Sequence, residues 1–464
     1  MEKLLAKIKK IIPKKLFKFL QPAYHYILSF LAALWYQWPS GRLIVIGVTG
    51  TTGKTTSVYL IAKTLASAGY KVGYTSTAMF NDGKKEWLND KKMTMVGRFF
   101  TQKLLRNMLR NKCQYAIIET TSEGIRQFRH KFINYDILIF TGLYPEHIES
   151  HGGFKNYKET KGKLFAHLKS CQTKYINKER FVEKYITGIK KLDLERVKKI
   201  IIANEDDEQA NYFLNFWSEA KIAYTSKNAS ADGIKNLEIV NFGDIEVAQG
   251  GTSFKINNKK IDLRLLGGFN AVNAMNAVVV CLAQGMSLEK IKVGLESVDG
   301  VPGRFEKIDE DQNFTVIVDY AFEPKAVTKL YEIVALIPHN KIIHVIGSAG
   351  GGRDVARRPK LGEIAGNKAD YVIVTNEDPY DEDPQIIIDQ VFVGAERAGK
   401  NQNKNLFKIL DRRQAIKKAL CLAKKNDIVL VTGKGNEQAI CVGNGEKIKW
   451  DDREVIKNEL KIIK

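Results

Sequence analysis

From residue 42 onward the apolar positions fall in short unbroken runs separated by polar, helix-like stretches. Residues 42–48 (RLIVIGV) form the first run and lead into a glycine-rich turn. Residues 55–68 then read as a helix, which Gly69 closes as a glycine cap does. Further short runs stand at 115–119 and 136–140. Strands that are apolar throughout are buried on both faces, so this alternation predicts a parallel sheet covered by helices. A second series follows at 341–347 (KIIHVIG), 370–375 (DYVIVT) and 427–433 (DIVLVTG). A glycine-rich stretch and Pro302 separate the two series. The pattern predicts an α/β protein in three parts: a short segment over 1–40, an α/β domain over 41–303 and a second over 304–464. No internal repeat or low-complexity tract interrupts it.

The first forty residues are different. Seven lysines (Lys3, Lys7, Lys9, Lys10, Lys14, Lys15 and Lys18) interleave with Leu4, Leu5, Ile8, Ile11 and Ile12 at helical spacing. An aromatic-rich stretch over 23–38 follows, with Tyr24, Tyr26, Phe30, Trp35, Tyr36 and Trp38. A signal peptide would need a small-residue cleavage site, and none follows clearly. A transmembrane span needs about 20 apolar residues, and this stretch is shorter and contains His25 and Ser29. Lysines would also stay on the cytoplasmic side. The favoured reading is a basic amphipathic segment on an anionic membrane surface. The competing reading is a pair of helices packed on the next domain.

Length and composition narrow the class. The chain has 464 residues, which at roughly 150 per domain suggests about three units. Hydrophobic residues make up 44% and aromatic residues 10%, enough for a sizeable core. Lys+Arg 73 against Asp+Glu 52 leaves +21, which favours an anionic partner. The lysines are spread along the chain and no nucleic-acid motif occurs, so a nucleic-acid binder is not expected. The five cysteines form no C-x-x-C pair, which argues against a disulfide framework or a zinc site and for a reducing, cytoplasmic setting.

Candidate chemistry begins at Gly50, Thr51, Thr52, Gly53, Lys54, Thr55 and Thr56, between a predicted strand and a predicted helix. Glycines let backbone N–H groups curl round phosphate oxygens, and the helix N-terminus adds positive charge. Lys54 is suited to the β- and γ-phosphates of ATP, and the Thr55 hydroxyl to Mg²⁺. Val48 stands where the longer phosphate-loop pattern has glycine, so this is the shorter T-G-T-x-G-K-T form.

An ordered set of motifs runs through the rest of the chain: GVTGTTGKTT (47–56), the E-x-x-S of Glu119–Ser122, LYPEHIESHGG (143–153) and YKETKGKLF (157–165). GGFNAVNAMNA (267–277), VPGRFE (301–306), VDYAFEP (318–324), GSAGGGRD (347–354) and RRPKLGEIA (357–365) come next. TNEDPYDEDP (375–384), GKGNE (433–437) and DDREV (451–455) complete it. With them the sequence resembles the Mur ligases, the ATP-dependent amide-forming family of peptidoglycan synthesis, and most of all the branch that adds the third residue of the muramyl peptide. The resemblance implies a phosphate-loop ATPase domain followed by a Rossmann-like α/β domain. It implies that ATP phosphorylates a peptide carboxylate to an acyl phosphate, which an amino-acid amine then attacks. The protein's work would be positioning and charge neutralisation.

Site residues carry over one by one. Glu119 matches a Mg²⁺-binding glutamate, and His147 the histidine of a second metal ion. Lys161 matches a lysine that is carbamylated, which turns a cation into a metal-ligating anion and requires the neutral amine first. Asn270 and Asn273 match adenine-contacting asparagines, and Asp319 a residue near the ribose. Arg304 would stand at a hinge whose closure completes the site. Thr94, Arg98 and Ser122 are assigned to the acceptor. Arg353, Asp354, Asp378, Tyr380, Glu382, Gly433 and Glu437 are assigned to the incoming amino acid.

Three departures qualify the match. Third-residue-adding members carry roughly a hundred residues ahead of the phosphate loop to bind UDP, whereas here the loop begins at residue 50. The expectation drawn from this is an acceptor held differently, such as a lipid-linked muramyl peptide. Diaminopimelate-adding members read D-N-P-R where this chain has Glu377, Asp378, Pro379 and Tyr380. The arginine that would hold a distal carboxylate is replaced. Asp381, Glu382 and Asp383 follow, and are read either as favouring an amine-ended side chain such as lysine or as a solvated acidic loop. Asn436 replaces a common histidine, Gly142 an asparagine and Glu123 a histidine. The alternatives are a ligase like folylpolyglutamate or cyanophycin synthetase, which shares the loop and the lysine, and a non-catalytic ATP-binding scaffold at the membrane.

Overall fold

The computed structural model describes residues 14–144, 152–183, 193–227, 233–352 and 355–463. Among them lie two large sheets, each built from one series of apolar runs. The first has nine strands in the order Leu237–Asn241, Ala220–Thr225, Ile200–Asn204, Ile137–Phe140, Ile44–Thr49, Tyr115–Glu119, Val72–Thr75, Met79–Asn81 and Glu86–Leu88. The first seven run parallel and the last two return antiparallel. Every residue of Ile44–Thr49, Tyr115–Glu119 and Ile137–Phe140 is buried, which explains their unbroken apolar runs.

The second sheet has the order Glu306–Ile308, Thr315–Asp319, Ile428–Thr432, Ile342–Ile346, Tyr371–Thr375 and Leu406–Ile409. All but the first pair parallel. Helices start where the residue types dictate. Asp383 and Asp411 cap Pro384–Arg397 and Arg412–Leu422 by accepting from the backbone N–H groups of Gln385 and Gln414. Gly69, at φ +91°, follows the helix Lys54–Ser67 in the left-handed conformation that glycine adopts without strain.

Two features were not legible in the sequence. Residues 243–263 form a three-stranded antiparallel ribbon, Gly243–Ala248, Gly251–Ile256 and Lys259–Leu263. Asp136 lies just ahead of the strand Ile137–Phe140 with its carboxylate fully buried. It accepts from the Val45 N–H at 2.8 Å, Lys174 Nζ at 2.5 Å and Lys199 Nζ at 2.8 Å. That buried charge is matched by two cations, the condition under which such burial is tolerated. The cysteines among the described residues are free thiols.

Near the N-terminus, Lys14–Trp35 is a 22-residue helix. Its Ser29, Ala32 and Ala33 are buried against the body of the protein. Residues 1–13 lie outside the described residues. No helix among the described residues is long and apolar enough to cross a membrane.

Candidate active site

The carboxyl ends of the parallel strands converge on one region, where loops of α/β sheets build their sites. Ile44–Thr49 and Tyr115–Glu119 are neighbours in register, with Val48 opposite Glu119. The turn after the first strand therefore lies beside the carboxylate that ends the second. Gly53 takes φ +78°. That conformation favours glycine, and a Cβ there would sit 2.4 Å from Asn273 Oδ1 and push that amide aside. The helix Lys54–Ser67 then points its N-terminus into the turn.

Around this turn the side chains interlock. Thr55 Oγ1 donates to Glu119 Oε2 at 3.0 Å. Thr77 adds two bonds to the same carboxylate, from its N–H at 2.8 Å to Oε2 and from its hydroxyl at 3.0 Å to Oε1. Thr77 also bonds the Thr94 hydroxyl at 2.8 Å. Lys54 Nζ folds back on its own loop, donating to the carbonyls of Thr51 at 2.7 Å and Gly50 at 3.1 Å. Lys161, on the helix Phe154–Leu168, is 1% exposed and donates to the Gly50 carbonyl at 2.8 Å. Its ammonium lies 4.7 Å from the Tyr157 ring centroid. A hydroxyl paired with a buried carboxylate at a phosphate-type loop is a hard-oxygen donor set that suits Mg²⁺. Among the described residues no three His, Cys, Asp or Glu side chains are grouped to hold a metal ion. His147 lies outside the described residues, as do Arg353 and Asp354.

A cleft of about 1550 Å³ runs from this turn to the second sheet and is lined from both bodies. Gly50 to Thr56, Thr94, Glu119, Ser122, Lys161, Asn270, Asn273, Arg304, Asp319, Asp378, Tyr380, Gly433 and Glu437 all line it. Asn270 donates to the Leu266 carbonyl at 2.8 Å and accepts from Asn273 at 3.0 Å. Arg304 spans the bodies: its guanidinium lies 4.3 Å from the Tyr320 ring centroid, and Nη2 reaches Thr55 Oγ1 at 3.4 Å. Asp319 accepts from the N–H groups of Phe305 and Ala321, both at 2.6 Å. Burial raises its carboxyl pKa, against the pull of Arg304 and those two N–H groups.

The far wall carries an acidic pair, Asp378 and Glu437, which holds two lysines. Lys434 Nζ lies 2.8 Å from Asp378 and 2.9 Å from Glu437. Lys92 comes from the other body and lies 2.6 Å from Asp378 and 2.5 Å from Glu437. Burial opposes the charge on Lys92, but Glu437 and Asp378 outweigh it and raise its pKa. Beside them Glu377 is 4% exposed and its Oε2 has no hydrogen-bond partner. Burial, helped by Asp378, raises its pKa.

Two expected residues lie elsewhere. Arg98 does not line the cleft. It donates to Ser29 Oγ at 3.0 Å and to the Gln127 carbonyl at 2.6 Å, fastening the N-terminal helix. Glu382 also lies off the cleft, paired with the buried Arg358 at 2.8 Å. Asp381 accepts from the Asn444 N–H and Asp383 caps a helix, so these two exposed carboxylates have structural partners outside the cleft. Sequence reasoning missed Thr77, Lys92 and Lys434. Lys434 sits inside the GKGNE motif, whereas nothing in the local sequence marks Thr77 or Lys92.

Comparison with known proteins gives a consistent set. Residues 48–197 match the model of the Mur ligase middle domain, and 303–435 that of the Mur ligase glutamate ligase domain. The chain is 36% identical over 430 residues to a UDP-N-acetylmuramyl-tripeptide synthetase of Roseiflexus sp., covering 91% of this chain and 79% of that protein. It is 31% identical over 439 residues to a UDP-N-acetylmuramoyl-L-alanyl-D-glutamate–2,6-diaminopimelate ligase of Geobacillus kaustophilus, covering 94% and 82%. Among solved structures, a folylpolyglutamate synthase of Mycobacterium tuberculosis with ADP and AMPPCP shares the fold at TM-score 0.62. It is 15% identical and covers 88% of this chain and 92% of that one.

Proposed function

Since the chain belongs to the Mur ligase family of ATP- and Mg²⁺-using, ADP-forming amide ligases, we propose that it joins an amino acid to the carboxylate of a muramyl dipeptide in peptidoglycan precursor synthesis. The observation that carries this reading is the shared cleft. One wall holds the phosphate-type turn with Thr55 and Glu119, and the other holds Asp378, Glu437 and the unpaired Glu377 oxygen. A reaction of three substrates needs such a shape: nucleotide at one end, amine at the other, the acceptor carboxylate between them.

In this reading Gly50 to Thr56 hold the ATP phosphates. Thr55 and Glu119 hold one Mg²⁺, and His147 with carbamylated Lys161 a second. The metal ions supply charge neutralisation for the transferring phosphoryl group. The buried Lys161 Nζ, 2.8 Å from the Gly50 carbonyl, supports this role by standing against the phosphate-type loop. Asn270, Asn273 and Asp319 serve the nucleoside, and Arg304 couples closure of the bodies to the loop. Thr94 and Ser122 face the acceptor. Arg353, Asp354, Asp378, Tyr380, Gly433 and Glu437 belong to the amino-acid end. The working division is 1–40, 41–303 and 304–464, and the setting is the cytoplasm, where ATP is available.

Tyr380 stands where an arginine would grip the distal carboxylate of diaminopimelate, and the carboxylates of Glu377, Asp378 and Glu437 line the same end of the cleft, so an amine-ended amino acid such as lysine is the proposed substrate. The test is product mass after incubation with ATP, Mg²⁺ and UDP-MurNAc-L-Ala-D-Glu plus lysine, ornithine or meso-diaminopimelate. A lysine adduct is expected. A diaminopimelate adduct formed in preference would overturn the amino-acid assignment and leave the ligase reading intact. No adduct with any of them would count against the UDP-linked acceptor.

A further inference from the structure

The helix Lys14–Trp35 is held to the protein by one face and bare on the other. Ser29 Oγ donates to the Phe128 carbonyl at 3.0 Å and accepts from Arg98, while Ala32 and Ala33 are fully buried. The opposite face is a stripe of large apolar side chains. Leu20, Tyr24, Ile27, Leu31, Leu34 and Trp35 are all exposed, Ile27 by 54% and Trp35 by 76%. Their spacing of three and four residues puts them on one line along the helix. Trp38 extends it just past the helix end. An apolar stripe of this length, with aromatic residues in it, is more than the scattered exposure of a soluble surface.

Charge selects the occupant. Between residues 3 and 41 the chain has seven lysines and no aspartate or glutamate. An apolar stripe continuous with an all-cationic segment fits a surface that is apolar within and anionic at its boundary. The helix is too polar to cross a bilayer, and its buried face is committed to the protein. We infer that Lys14–Trp35 lies flat on an anionic lipid bilayer, with the stripe in the acyl boundary and the lysine-rich sequence supplying the attraction to anionic headgroups. Phe128, to which Ser29 bonds, lies between Gln127 and Arg129, and both of these line the cleft. The docked face therefore adjoins residues that line the cleft.

The test is co-sedimentation of the full chain with vesicles of phosphatidylcholine alone or with one third phosphatidylglycerol, at 50 mM and 500 mM salt. Binding to the anionic vesicles at least tenfold stronger than to the neutral ones is expected, falling steeply at high salt. The triple variant Ile27→Gln, Leu31→Gln, Trp35→Gln should lose binding by tenfold or more. These side chains are exposed, so its thermal melting should match the wild type. A second variant, Lys3→Gln, Lys7→Gln, Lys9→Gln, Lys10→Gln, should lose the preference for anionic lipid. Equal binding to both vesicle types would overturn the proposal. So would a lipid-independent dimer, seen by sedimentation velocity and abolished by the triple variant, because a second copy would then be the occupant. Vesicle binding does not depend on ligase activity, so the two readings fail separately.

Discussion

Lys92 is the most informative single residue to change. Its side chain is 3% exposed and crosses from one body to the acidic pair of the other, whose side chains are 7% and 14% exposed. Taking one partner from a buried ion pair costs about 3–5 kcal/mol, because a charge is left without compensation. Here the loss is cushioned, since Lys434 still contacts both carboxylates and the Cys441 N–H still donates to Asp378 at 2.7 Å. The lower end, about 3 kcal/mol, is therefore the better estimate for Lys92→Met, which keeps most of the packing volume. Because the contact exists only when the bodies are together, the cost falls on closure. About 3 kcal/mol corresponds to roughly a hundredfold shift toward the open form. Small-angle scattering should show a larger radius of gyration, and the KM for the amino acid should rise. A double-mutant cycle with Glu437→Gln should give a coupling of at least about 1 kcal/mol in denaturant unfolding. Wild-type dimensions and KM, with no coupling, would refute the reasoning.

Two further outcomes follow from single residues and a third from metal removal. Gly53→Ala should abolish nucleotide binding by calorimetry and lower stability by about 1 kcal/mol or more, since the new Cβ meets Asn273 at positive φ; unchanged binding would mean the turn does not hold phosphate. His344, fully buried between Tyr331 Oη at 2.7 Å and Thr432 Oγ1 at 2.9 Å, has its pKa lowered to about 3 by burial, with Arg412 adding to the effect. It stays neutral in the fold while the unfolded side chain protonates near 6.5, so it costs nothing above that pH and about 1.4 kcal/mol per pH unit below it, down to about pH 3. Urea unfolding at pH 7 and pH 5 should show His344→Gln losing about 2 kcal/mol less than the wild type over that interval. Chelation of divalent cations should abolish ATP turnover and Mg²⁺ should restore it; turnover that persists in excess chelator would contradict the Thr55–Glu119 assignment.

What the sequence disclosed, it disclosed through local signals. The buried parallel strands announce themselves as unbroken apolar runs, and the phosphate-type turn by its glycines and its place between strand and helix. Glu119 was legible through its match to the family motif, since a strand-end carboxylate alone is more often merely solvated. The antiparallel ribbon over 243–263 was not legible, because its strands are short, half exposed and mixed in polarity. Arg98 was misassigned because its fate is decided by Ser29, sixty-nine residues away in the chain. Lys92 was invisible for the same reason: its carboxylates lie in another body, and a lysine in a lysine-rich chain carries no mark of burial. The acidic run 381–383 allowed two readings in sequence, and the exposure of Asp381 and Asp383, with the cap and the Arg358 pair, fits the solvated-loop one.

The central claim is that one cleft brings a phosphoryl donor, a carboxylate and an amine together. The most direct measurement is phosphate release by the purified chain with ATP, Mg²⁺, the muramyl dipeptide acceptor and the amino acid, each omitted in turn. Release is expected only when all are present, and should be lost in Lys161→Ala. Release that ignores the acceptor and the amino acid, or survives Lys161→Ala undiminished, would contradict it.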